Sequence, residues 1–155
     1  MRAELKRSSW EVYGLSAYDI DRTVAMFRAL VEQRDRQFNE DWARLRVEQP
    51  DVADDIMDDV AHYTYERLNH LWACCLWRMQ GVFEGILAQQ FIGRERRFPG
   101  LRAKLTALRE AGHIISPAKE SELMEWADLR NALSHTPPET HRPPSLTLED
   151  LLEYR

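Results

Sequence analysis

Residues 130–135 read RNALSH, so an arginine, an amide and an imidazole fall within six positions. Arg130 offers a permanently charged planar fork of donors, Asn131 can orient a neighbour through its amide, and His135 can move a proton near neutral pH. Those three groups suit chemistry at a phosphodiester. The arginine neutralises phosphate charge, the histidine acts as acid or base, and the asparagine positions one of them. A plainer reading competes with this one. A histidine closing a helix, an arginine snorkelling at the rim of an apolar stripe and an incidental asparagine are each common. On residue types alone the plainer reading is the stronger.

The element that carries the three residues is SPAKESELMEWADLRNALSH, 116–135. Ser116 and Pro117 are a cap and a first-turn residue. Thr136 precedes Pro137 and is pushed out of helical geometry, so the helix must end close to His135. At 100° per residue, Leu123, Trp126, Ala127, Leu129 and Leu133 form an apolar stripe that includes Arg130. Asn131 and His135 share a flank with Asp128. An arginine inside a buried stripe needs an anion, because it cannot shed its proton. A histidine in the last turn meets exposed carbonyls that favour its charged form.

The rest of the chain reads as helix throughout. Ser16 to about Glu48 lacks glycine and proline and spaces Ile20, Val24, Phe27, Leu30 and Val31 at three- and four-residue steps. Pro50 interrupts, Asp51 is placed to cap, and a second helix runs from 52 to about 92 with Gly81 and Gly85 as weak points. Its middle, LNHLWACCLWRMQGVFEGIL, is apolar around much of its circumference and belongs at the centre of a bundle or at a subunit interface. GRERRFPG is a connector, residues 101–111 form a third helix ending at Gly112, and 117–135 is the fourth. After the proline-rich connector TPPETHRPPS comes a short last helix, TLEDLLEYR, with Thr147 and Asp150 set as a capping box. The expected architecture is all-α: one domain, 1–155, built as an up-and-down four-helix bundle, with 136–155 supplying the connector and the short additional C-terminal helix.

Composition sets the bounds. A chain of 155 residues with 44% hydrophobic and 30% charged residues can bury a real core. LWACCLW is broken by Arg78 well short of a membrane span, and the first residues lack an apolar run of signal-peptide length, so a cytoplasmic protein without membrane contact is expected. Cys74 and Cys75 are neighbours, poorly placed to bridge each other in a helix. The net charge of −5 conceals a division: DVADDIMDD at 51–59 has five aspartates, whereas 94–109 holds Arg94, Arg96, Arg97, Arg102, Lys104 and Arg109 against Glu95.

RNALSH resembles the R-x4-H motif, often with asparagine directly after the arginine, of the HEPN superfamily, and it lies where that family has it, at the end of the last main helix. The resemblance implies an all-α, metal-independent ribonuclease without cofactor. It further implies a homodimer in which Arg130, Asn131 and His135 of both copies face each other across one cleft. This suits Arg130 and His135 being about 140° apart on one helix. The implied reaction is attack of a ribose 2′-OH on the adjacent phosphate, in a toxin, defence or RNA-processing setting with a cognate antitoxin as a possible partner. Where some family members carry a modified tyrosine, two places after the histidine, this chain has Pro137. The alternative is a HEPN-like module that dimerises or binds a nucleotide or protein without cleaving.

Other groups are candidates for supporting roles. Glu66 and His70, on the second helix, are expected as polar partners for Arg130, with Asp128 beside the motif. Arg94, Arg96, Arg97 and Arg102 are expected to guide an RNA backbone. His62, Glu66 and His70 lie on one face at four-residue steps, but the Glu-x-x-His pair of di-metal bundles is missing, and a solvated polar face is preferred to a metal site.

Overall fold

The structure, a computed structural model, describes residues 15–92, 99–135 and 145–155. Among these it is all-α. The helices are α1 (Ala17–Glu48), α2 (Ala53–Ile86) continued by a π-helical segment (Leu87–Ile92), α3 (Gly100–Glu110), α4 (Pro117–His135) and α5 (Leu148–Tyr154).

The boundaries follow from local chemistry. At the start of α1 the Asp19 carboxylate accepts the Ser16 backbone N–H at 2.9 Å. That bond, ahead of the one from the Ser16 hydroxyl, holds the Asp19 carboxyl below its ordinary range. α3 closes in a Schellman turn: Gly112 takes φ +90°, its N–H reaches the Arg109 carbonyl at 2.9 Å, and the His113 N–H reaches the Leu108 carbonyl at 3.0 Å. Before α4, Ser116 Oγ accepts the Lys119 N–H at 3.2 Å. α5 opens on the expected box, Thr147 N–H donating to Asp150 Oδ2 at 2.7 Å and Asp150 N–H to Thr147 Oγ1 at 3.3 Å.

One local expectation is corrected. Asp51 is not the cap of α2; Val52 holds that position without a side-chain cap bond. The acid that closes the hairpin is Asp54, which accepts Trp42 Nε1–H at 2.9 Å and Arg46 Nε–H at 3.0 Å, while the Arg46 guanidinium lies 4.5 Å from the Trp42 ring centre. α2 runs on through Gly81 and Gly85, as its expected span requires. Gly85 is a point of close approach, where a Cβ would run into the Leu15 side chain. The Leu15 carbonyl accepts Gln90 Nε2–H at 2.6 Å.

α1 and α2 form a long antiparallel hairpin, and α3, α4 and α5 pack at one end of it. The main core lies there: Val24 of α1, Trp72, Ala73, Cys75, Leu76 and Met79 of α2, and Leu146 and Leu151 from the C-terminal segment, with Trp126, Leu129 and Leu133 of α4 against them. The most apolar stretch of α2 is central, as its composition requires, with Cys75, Leu76, Met79 and Val82 fully buried. A second cluster, Leu87, Leu101, Leu105, Leu108 and Ala127, ties α3 to α4 and the π segment. The remainder of the hairpin, toward its turn, buries only Ala53 and Met57.

Candidate functional site

α4 packs through one face only. Ala127 is buried, Trp126, Leu129, Arg130 and Leu133 are partly so, and Asp128, Asn131 and Ser134 are exposed. Arg130 therefore sits at the border of the apolar stripe, about one third exposed along its side chain. Its guanidinium meets Glu84 of α2, Nη2 to Oε1 at 3.6 Å, and its Nε is buried with no hydrogen-bond partner among the described residues. The same Glu84 carboxylate binds Lys104 Nζ of α3 through its other oxygen. One carboxylate thus sits between two cations, and the cluster keeps a net positive charge.

Tyr154 of α5 completes the surroundings. Its ring centre lies 5.2 Å from that of Trp126, and its hydroxyl is buried without a partner among the described residues. Burial pushes the Tyr154 phenol well above its ordinary range; Glu84 adds to that shift and Arg130 opposes it. One turn before Glu84, Gln80 is 2% exposed, and neither its amide nitrogen nor its amide oxygen has a partner among the described residues. A phenol, an amide and a guanidinium nitrogen with spare hydrogen-bonding capacity thus accompany this carboxylate.

The anion that Arg130 needs is Glu84, not Glu66 or His70. Glu66 lies 18 residues earlier on α2, roughly 27 Å along the axis. There it pairs with His62 at 3.6 Å, both side chains exposed. His70 lines a groove on the hairpin. The sequence carried a usable signal for Glu84, since it is the one charged residue between Arg78 and Arg94, in the most apolar part of the chain. Nothing comparable marks Tyr154.

Of the motif, Asn131 is exposed beside Arg130, and the Arg130 carbonyl accepts Ser134 Oγ–H at 2.8 Å. α4 ends on the backbone of His135, whose side chain lies outside the described residues, as do Arg94, Arg96, Arg97 and the proline-rich connector from 136 to 144. Arg102 is exposed on α3. The basic stretch around it is partly neutralised: besides Lys104 with Glu84, Arg109 grips Glu120 through both terminal nitrogens, at 2.9 and 3.0 Å. Among the described residues no group of three His, Cys, Asp or Glu side chains is placed to hold a metal ion.

Fold and site together define an all-α protein with a charged cluster where its C-terminal helices meet the central one. Comparison with protein-family models, curated proteins and solved structures finds no match. No helix among the described residues is long and apolar enough to cross a membrane.

Proposed function

We propose that the protein is a metal-independent endoribonuclease of HEPN type, with Arg130, Asn131 and His135 as the site and two copies supplying it across a twofold axis. In this reading α1, α2 and α4, with the shorter α3, are the bundle and α5 is the additional C-terminal helix. The 2′-OH attacks the adjacent phosphorus, the bond to the 5′-oxygen breaks, and a 2′,3′-cyclic phosphate is left. His135 transfers a proton to or from the reacting oxygens, Arg130 stabilises the charge on the phosphorane, and Asn131 orients the phosphate or the imidazole. A cytoplasmic toxin or defence nuclease, held in check by a partner protein, is the setting that this chemistry suits.

The observation that carries the reading is the state of Arg130. Its pairing with Glu84 is loose at 3.6 Å, that carboxylate is shared with Lys104, and about a third of the Arg130 side chain stays exposed. A guanidinium held but not saturated is prepared for a second anion. The same contact also favours the alternative, a non-cleaving HEPN-like module that binds a nucleotide or protein partner, since Arg130 already has a structural partner within one chain.

Purified protein incubated with structured and unstructured RNA in excess chelator tests the choice. Cleavage should leave cyclic phosphate ends and fall about 10²- to 10³-fold in Arg130→Ala, the usual cost of removing a transition-state donor, and at least as far in His135→Ala. Undiminished cleavage by either variant removes the assigned site. An inactive wild type favours the binding module.

A further inference from the structure

The stripe of α1 that faces the core does not stop where the core stops. Ile20, Val24, Phe27 and Val31 pack in the main core, and the same helical steps continue to Arg34, Phe38, Asp41, Leu45 and Glu48. Those five residues, with Met57, Val60, Thr64, Arg67, Leu68 and His70 of α2, line a groove of about 740 Å³ between the two helices. Over the core half of this seam the cover is the C-terminal segment: Leu146 and Leu151 are buried in it, Leu146 N–H donates to Asn69 Oδ1 at 2.9 Å, and Arg155 pairs with Asp21 at 3.5 Å. The groove begins beside the first described residues of that segment, next to Asn69.

Charge in the groove is unbalanced at the end nearest α5. Asp41 is already held by Arg44 at 2.6 Å and by Gln37 at 3.2 Å. The side chains of Arg34, Arg67 and His70 have neither an ion pair nor a hydrogen bond with any described residue. The antiparallel turn between Glu48 and Ala53 sets Arg34 roughly opposite Arg67 across the seam. Among the described residues no contact balances these two like charges over an apolar floor.

We propose that this groove is a docking site for an acidic amphipathic helix of a partner protein. α5 shows what the neighbouring core accepts: it turns Leu148 and Leu151 inward, keeps Glu149 and Glu153 exposed, and packs on the cluster that holds Val24 of α1 and Trp72 of α2. From Arg34 to Glu48 the groove runs for about 21 Å, enough for some 14 residues of helix. Its floor of Phe38, Leu45, Val60 and Leu68 takes the apolar face of the incoming helix, and Arg34 and Arg67 take its carboxylates. The site is independent of any RNA cleavage.

The test uses the whole protein and a fluorescent peptide of about 14 residues with leucines at i, i+3, i+4 and i+7 and glutamates on the other face, beside a counterpart with lysines for glutamates. The acidic peptide should bind saturably, and Arg34→Glu with Arg67→Glu should weaken it by about tenfold or more. The lysine peptide should prefer the double variant to the wild type. That gain separates lost recognition from a damaged fold. No saturable binding, equal affinity for both peptides, or binding unchanged in the variant overturns the proposal. So does a wild-type dimer that the double variant abolishes in sedimentation, because a second copy then fills the groove.

Discussion

Cys74 and Cys75 follow one another along α2 and meet opposite surroundings, because consecutive helical side chains diverge by about 100°. Cys74 is exposed, whereas Cys75 is fully buried with its Sγ 3.8 Å from Met79 Sδ. Burial, and secondarily the neighbouring Cys74, pushes the Cys75 thiol from 9.0 up to about 12. A thiol reagent at pH 8 is therefore expected to modify one cysteine of the native protein and the second only after denaturation; rapid labelling of both would place Cys75 outside the core. The sign of the pH effect follows. Between pH 9 and 12 the unfolded chain loses the Cys75 proton while the folded chain keeps it, so the stability this thiol confers is complete below pH 9 and declines as pH rises. Denaturant titrations at pH 8 and pH 10 should show a smaller loss in Cys75→Ala than in the wild type. At this scale too, the need of Arg130 for an anion was legible from its place in an apolar stripe. Which carboxylate answers was not, because Glu84 and Arg130 are 46 residues apart in the chain.

The two glycines of α2 separate at the scale of the element. Both cost a helix the entropy of an unrestrained backbone. Gly81 is exposed with nothing within 4 Å of a Cβ built on it, whereas a Cβ on Gly85 collides with Leu15. Gly81→Ala should stabilise the protein by about 0.5–1 kcal/mol, seen as a higher urea midpoint at unchanged slope. Gly85→Ala should forfeit that gain. A Gly81→Ala variant no more stable than wild type would mean that the helix is not continuous there. Periodicity and capping residues made most helix limits readable, since those are local properties. At the α2 start the limit was read to within a residue, and only the cap differs, Val52 standing where Asp51 was expected.

In the whole molecule, the shortest helix is expected to matter out of proportion to its length. Leu151 is fully buried in the main core, between residues of α1 and α2. Leu151→Ala should cost about 2.7–5 kcal/mol, the range for a leucine truncated in a packed interior. A loss below about 1 kcal/mol in denaturant unfolding would show that α5 is an appendage. Among the described residues the same packing leaves the far half of the hairpin to itself. Its apolar floor and arginines without an ion pair among the described residues form the groove, and the Arg130 cluster lies at the opposite end of α2.

The order and approximate limits of the helices, the centrality of the apolar stretch of α2 and the capping box of α5 were determined by the sequence alone, because periodicity, glycine and proline placement and caps act over a few residues. Tertiary structure decided what the stripes meet. It paired Arg130 with Glu84 and Glu84 with Lys104, buried the Tyr154 hydroxyl beside them, and left half of one continuous seam uncovered by any described residue. Those outcomes depend on which helices end where in space, and helical spacing within one element carries no record of that.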